Sequence, residues 1–288
     1  VVMVAQPPQL LLKDNTPVLL WNGVEVKVPR LKHGVLFLMV NQIASQLTFC
    51  EYKIHLDYSR GRLVGVESVE GAEEHSRQLG GLDVDFGIEV GWDPVVVNRG
   101  DEGVAFFNTR MRNWLPSSDF TRPYLTERSV LMLINNVPIL GLPDIVVNSD
   151  GAPKYIIELK TTNRPVNINY VNRREQFQAE AYYHMVNQLG FRVSGVAVVK
   201  VVRGLGIRVL DNLPGIVNAI EGNAEPRLTK GLMVHVIKPR PIESVLKDVE
   251  YALQYWLGVR NASPSPGIGR CRVCEHRRYC PFSLVKTP

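Results

Sequence analysis

The sequence predicts an α/β fold, a mixed central sheet flanked by helices. Three observations carry this expectation. Apolar runs bounded by Asn, Asp, Gly and Pro fill residues 129–160 and read as strand, turn, strand, turn, strand. Residues 172–189, NRREQFQAEAYYHMVNQL, carry a helical period, with Asn172 as N-cap and Gly190 as the stop. A strand-like run at 194–210 and a helix-like run at 241–259 then repeat the alternation. The chain has 288 residues, enough for one large domain or one domain with a small satellite.

The elements follow in order. Residues 1–33 are apolar and punctuated by proline, and VLLWNGVEVKV reads as a hairpin around Asn22-Gly23. They are expected to form an N-terminal extension packed on the core. Residues 34–58 carry apolar side chains at helical spacing and read mostly as helix, with Cys50 near its end. Residues 68–79, SVEGAEEHSRQL, read as a second helix containing His75, although Gly71 is a poor helix former. Residues 81–125 are rich in Gly, Asp, Asn and Pro and read as an irregular insertion. Residues 194–210, SGVAVVKVVRGLGIRVL, read as a β-hairpin turning at Gly204 and Gly206. The loop NASPSPGIGR then delivers a cysteine-rich C-terminal segment, 261–288.

Bulk properties narrow the function classes. Charged residues make up 21% and hydrophobic residues 45%, an ordinary globular balance. The net charge of +5 suits a polyanion partner without demanding one. The most apolar window, SVLMLINNVPILGLPDIVV, is broken by Asn135, Asn136, two prolines and Asp144, so no transmembrane helix and no membrane partner is expected. The first residues lack a basic region ahead of a long apolar block, so no signal peptide is expected and a cytoplasmic setting is. No Walker-type lysine loop is present, which argues against an ATP-driven motor.

Within PDIVVNSDGAPKYIIELK, residues 143–160, three charges interrupt an apolar pattern. A turn centred on Gly151 would place Asp144 opposite Glu158, with side chains about 5 Å apart on one face. Lys160 lies two residues beyond Glu158 and points the same way, while Leu159 points to the core. A one-residue slip would separate the acids, so this arrangement needs an odd-numbered loop. Two carboxylates that close repel unless a cation lies between them. A hard divalent cation, Mg²⁺ or Mn²⁺, fits such oxygen donors beside a phosphate. Lys160 could then position water or neutralise charge on the phosphate. The alternative is an exposed Glu158–Lys160 pair on a half-solvated strand, with Asp144 a turn residue. Cys50, Cys271, Cys274 and Cys280 are the four cysteines, three of them within ten residues. That clustering points to metal before disulfides, and spacing alone allows zinc or an iron–sulfur cluster.

Taken together, G-L-P-D at 141–144 and E-L-K at 158–160 resemble the PD-(D/E)xK nuclease superfamily. Gly71 and His75 match the G-x-x-x-H element of its RecB-like branch, and Gln178 and Tyr182 match that branch's Q-x-x-x-Y helix. With Cys50 upstream and Cys271, Cys274 and Cys280 at the end, the order resembles RecB-like nucleases bearing a four-cysteine cluster, most of all the CRISPR-associated adaptation nuclease. The chain departs from the compact form of that family in its N-terminal extension and in the long separation of His75 from Asp144.

The resemblance implies a restriction-endonuclease-like core over 34–260, with the insertion at about 81–125 and an iron–sulfur clasp over 261–288 completed by Cys50. It implies that His75, Asp144, Glu158 and the Leu159 carbonyl hold the metal, and that Lys160 assists hydrolysis of a DNA phosphodiester. Gln178 and Tyr182, at i and i+4, would orient the lysine, the water or the DNA backbone; Gln176 is the rival glutamine, with Glu180 as its i+4 partner. The imidazole ligand favours Mn²⁺ over Mg²⁺. The cysteines would hold a [4Fe–4S] cluster, with zinc as the alternative. Single-stranded DNA or overhangs, CRISPR spacer acquisition and an integrase partner complete the implication. A general DNA-repair exonuclease and a non-catalytic cluster-bearing DNA-binding subunit are the alternatives. Two surface readings stay open. Arg270, Arg272, Arg277 and Arg278 either meet phosphates or form a solvated loop. Phe106, Phe107, Trp114, Phe120 and Tyr124, with Arg110, Arg112 and Arg122, either stack on single strands or form a small hydrophobic subcore. His55, His184 and His276 receive no role.

Overall fold

The computed structural model describes residues 6–61, 74–79 and 98–285. Gly71, residues 68–73 of the expected second helix and residues 81–97 of the expected insertion lie outside them. The chain opens with an antiparallel meander, β1 (Gln9–Lys13), β2 (Thr16–Trp21) and β3 (Val24–Lys27). Its connections are the two-residue turns Asp14-Asn15 and Asn22-Gly23, whose residues all have positive φ. Such turns match the twist of the strands they join.

Residues 34–58 do not form the expected single helix. Leu38–Met39 is a short strand, β4, followed by α1 (Val40–Thr48) and α2 (Glu51–Arg60). The Thr48 hydroxyl donates back to the Ala44 carbonyl at 2.6 Å, a bond that bends helices, and the helix stops there. Cys50 therefore has extended backbone and stands at the N-cap of α2. The insertion also departs from expectation, because residues 100–111 form a helix, α3 (Gly100–Met111). Phe106, Phe107 and Trp114 are buried with Leu10, Leu19 and Phe37 beneath the first sheet. Trp21 meets Trp114 edge-on at 6.3 Å. These aromatics form a hydrophobic subcore, and the stacking alternative fails for them.

The three strands expected within 129–160 are four. After β5 (Tyr124–Thr126) come β6 (Val130–Ile134), β7 (Val137–Gly141), β8 (Ile145–Ser149) and β9 (Ala152–Thr162). β6 and β7 join β4 in a sheet of order β4-β7-β6, whereas β8 and β9 belong to a six-stranded sheet. The chain changes sheet at Leu142-Pro143-Asp144, where proline has no N–H to give a ladder. The larger sheet is completed by β10 (Gly195–Val202), β11 (Arg227–Thr229) and β12 (Leu232–Ile237), in the order β11-β12-β10-β9-β8-β5. β9 and β10 run parallel and their neighbours antiparallel, so the sheet is mixed.

The hairpin expected at 194–210 is absent. β10 is one central strand with both faces covered, and its partners are β9 and β12. A near-continuous run of valines is the mark of such a strand. Alternate residues of the sheet enter two cores. Val146, Ile156, Val196 and Val198 pack against α4 (Arg173–Gln188) and α6 (Ile242–Trp256), together with α1. Ile157, Leu159, Ala197 and Val199 pack against α5 (Leu213–Glu221) on the other face. α4 begins as expected, with Asn172 accepting from the Glu175 N–H in a capping box. A short helix, α7 (Ile268–Val273), carries the first C-terminal cysteine. Among the described residues no helix is long and apolar enough to cross a membrane.

Candidate active site

The β8–β9 register decides whether Asp144 and Glu158 meet. Next to the turn, Ser149 pairs with Ala152 and Asn148 with Pro153, so the loop is the even two-residue turn Asp150-Gly151. A bulge leaves Lys154 unpaired, and beyond it Val147 pairs with Tyr155, Val146 with Ile156 and Ile145 with Ile157. The extra residue supplies the shift of parity that an odd loop would have given. One step further along, Asp144 stands beside Glu158. Both face α4, the side of Val146 and Ile156, and Leu159 is buried on the opposite side.

Both acids are nearly inaccessible, Asp144 at 7% and Glu158 at 2% exposure. Asp144 Oδ2 accepts the Leu159 N–H at 2.6 Å, and Oδ1 lies 3.0 Å from His75 Nε2. β8 starts only at Ile145, so among the described residues the edge of β9 at Leu159 has no strand partner on that side. The N–H and C=O of one strand residue leave on the same edge, so the Leu159 carbonyl also faces Asp144. Lys160 Nζ donates to Glu158 Oε1. Among the described residues Glu158 Oε2, although buried, has no hydrogen-bond partner.

The charges set one another. Burial and the Asp144 carboxylate push Glu158 up to about 8, against the pull of Lys160 and His75. Burial would also raise Asp144, but His75, Lys160 and the Leu159 N–H overcome it and hold that carboxyl below its ordinary value. Burial lowers His75 and Lys160, yet the acids dominate and keep both raised. Tyr182 is pushed well above its ordinary value by burial and by Glu158 and Asp144. Its hydroxyl is hydrogen-bonded by the Leu142 main chain and by Gln178. Gln176 is turned away and donates to Glu180 at 3.1 Å. Gln178, and not its rival, therefore shares the face of the carboxylates.

Two carboxylates and an imidazole are suitable donors for a divalent cation. As placed, His75 is turned onto Asp144 and Lys160 onto Glu158. Among the described residues no three His, Cys, Asp or Glu side chains are set to hold one ion. The donor set still fits such an ion, because buried Oε2 lacks the partner that a buried carboxylate oxygen requires.

Cys50, Cys271, Cys274 and Cys280 line one pocket with Tyr52 and Phe282. Burial raises the Cys280 thiol, and the Cys50 and Cys271 sulfurs add to it, so the sulfurs lie within mutual electrostatic reach. Main-chain N–H groups of Ser265, His276, Phe282 and Ser283 point at Cys50, Cys274 and Cys280. These sulfurs, too, are not set around one point, but thiols that share one pocket and accept main-chain N–H bonds have the chemistry of a metal–thiolate group.

Several residues given no role in the sequence reading prove structural or supporting. His276 Nε2 meets Asp57 Oδ1 at 2.7 Å, both side chains 2% exposed. Gln78 fixes the short helix at 74–78 that carries His75, donating to the Ile207 carbonyl and accepting the Val209 N–H. No sequence pattern marks that amide. Lys200 did leave a signal, a lysine inside GVAVVKVV; it is 3% exposed and bonds Glu175 at 2.9 Å and the Tyr170 carbonyl at 2.8 Å.

No protein-family model and no curated protein matches the chain significantly. Solved structures with a similar course include SSO0001, at 14% identity and a TM-score of 0.47, covering 87% of this chain and 88% of that one. A candidate exonuclease from Eubacterium rectale follows at 11% identity and a TM-score of 0.46, covering 88% and 90%. A phage-related exonuclease from Haemophilus somnus has 14% identity and a TM-score of 0.33, covering 78% and 95%.

Proposed function

We propose that the chain is a metal-dependent deoxyribonuclease of the PD-(D/E)xK type that hydrolyses phosphodiester bonds in single-stranded DNA or overhangs. The observation that carries this reading is the buried, unpartnered oxygen of Glu158, beside Asp144 in register and with Lys160 next to it. Asp144, Glu158, His75 and the Leu159 carbonyl would hold Mn²⁺ or Mg²⁺. Once bound, such an ion supplies charge neutralisation to the phosphate and acidifies a water molecule. Lys160 stays protonated beside the acids and offers its N–H bonds to the attacking water or the phosphate oxygens. Tyr182 stays a neutral phenol, and with Gln178 it walls the carboxylates on the α4 side.

The four cysteines are read as the ligands of a [4Fe–4S] cluster that fastens residues 261–285 to α2, with zinc as the alternative. What supports the cluster is that the four cysteines line one pocket, together with the motif order. The narrower task, trimming CRISPR spacer precursors beside an integrase, has the motif order alone as its support.

The test is cleavage of a single-stranded oligonucleotide labelled at both ends, with Mn²⁺, Mg²⁺ or EDTA. Cleavage is expected with the wild-type chain and Mn²⁺, and is expected to fall by at least about a hundredfold in Asp144→Ala and Lys160→Ala. No cleavage by pure wild-type protein carrying its full metal content would refute the enzyme and favour a DNA-binding subunit.

A further inference from the structure

We infer that Tyr170 is a stacking platform for a base of the single strand, one side chain away from the catalytic face. Tyr170 is 51% exposed, and Val166 beside it is 64% exposed. The tyrosine is nevertheless held firmly. Lys200 Nζ donates to its carbonyl at 2.8 Å and stands 5.1 Å from its ring centroid. The Tyr170 hydroxyl donates to Asn167 Oδ1 at 3.0 Å. The short turn before it, Pro165–Asn169, is pinned by buried His235, whose Nε2 lies 2.7 Å from the Ile168 carbonyl. Arg227 adds a bond to Asn169.

The place of the platform follows from the ladder. Lys200 pairs with Lys160 across the parallel β9–β10 register, so both lysines rise from the same face. Lys200 anchors Tyr170, and Lys160 bonds Glu158. Arg174 is close enough to act on Lys160 electrostatically, and Arg164 and Arg173, both exposed, lie within six residues of the tyrosine along the chain. A fixed, exposed ring with a lysine against it and arginines close along the chain, at the border of a phosphate-cutting face, has the composition that holds an unstacked base and its backbone. A base in a duplex has no free face to offer, so the platform would favour single strands. A pre-set ring also loses little entropy on binding.

The inference rests on the proposed nuclease reading for its substrate, but its test does not depend on turnover. A fluorescent oligothymidylate and the same length of abasic strand are titrated into Glu158→Gln protein, with the Tyr170 variants made in that background, and binding is read by anisotropy. Tyr170→Ala is expected to weaken oligothymidylate binding by about fivefold or more, and Tyr170→Phe to stay within about twofold. The abasic strand is expected to bind both proteins alike. Equal oligothymidylate binding by the Ala variant, an equal loss on both strands, or no binding of either strand by the parent protein would each overturn it. Failure of the nuclease reading is seen separately, as absence of cleavage by the wild-type chain.

Discussion

Glu158 is an unfavourable residue for a folded chain to keep. Its carboxyl is 2% exposed, one oxygen has no partner among the described residues, and its titration is displaced from 4.5 to about 8. The sign of the consequence follows. Over that window the unfolded chain has released a proton that the metal-free folded chain still holds, so stability falls as pH rises from about 4.5 to about 8 and levels above it. Glu158→Gln removes the titration. Its melting temperature in EDTA should therefore overtake that of wild type toward the alkaline end, and two parallel pH curves would refute this. The same substitution should abolish stabilisation by Mn²⁺, worth about 2.7 kcal/mol to the wild-type chain at a hundredfold excess over Kd. At this scale the sequence was informative wherever a charge broke an apolar run, as at Asp144, Glu158 and Lys160. It was silent on Gln78, because an amide that bonds two main-chain groups far away in sequence leaves no periodic trace.

Elements were legible when their own ends announced them. α4 carries its cap and its stop in the sequence, and the Asn22-Gly23 turn its two left-handed residues. The misreadings have tertiary causes. In sequence β10 reads as half of a hairpin because its true partners, β9 and β12, lie far along the chain. The β8–β9 register brings Asp144 to Glu158 through a bulge at Lys154 and not through an odd loop, and such a bulge is not visible in a run of strand formers. The close approach of β7 to α4 is a further hidden contact. A Cβ on Gly141 would stand 2.8 Å from Val130 Cγ2 and 3.0 Å from the Met185 side chain. Gly141→Ala should cost about 1–3 kcal/mol in urea unfolding, as overpacked cores do. Because Leu142 bonds Tyr182 directly beyond this point, the substitution should also weaken cleavage. A variant as stable as wild type would show that the helix can yield.

Over the whole molecule the question is what holds residues 261–285 in place. Apolar burial does not: Ile268, Val273, Tyr279 and Leu284 are all 58% exposed or more. Polar anchors reach back to α2 instead. Glu51 accepts from Arg260 and from the Ser263 N–H, Asp57 pairs with buried His276, and Lys53 lies 3.5 Å from Glu275. The four sulfurs close the same interface, and a metal group bound only in the folded state adds its binding free energy to folding. The anchors fix the start and the middle of the segment, whereas Cys280 and the chain beyond it have the sulfur pocket and the Tyr52–Phe282 contact. Cys274→Ser should therefore speed tryptic cleavage at the arginines at 270–278 while the six-stranded sheet stays folded by circular dichroism. His276→Gln should keep any metal bound by the four sulfurs and open the segment less, because an amide can still donate to Asp57. Equal resistance of wild type and Cys274→Ser would leave the polar anchors as the whole clasp. Iron and acid-labile sulfide in equal amounts are expected in anaerobically purified protein, and a colourless chain with stoichiometric zinc would replace the cluster by a zinc site on the same four sulfurs.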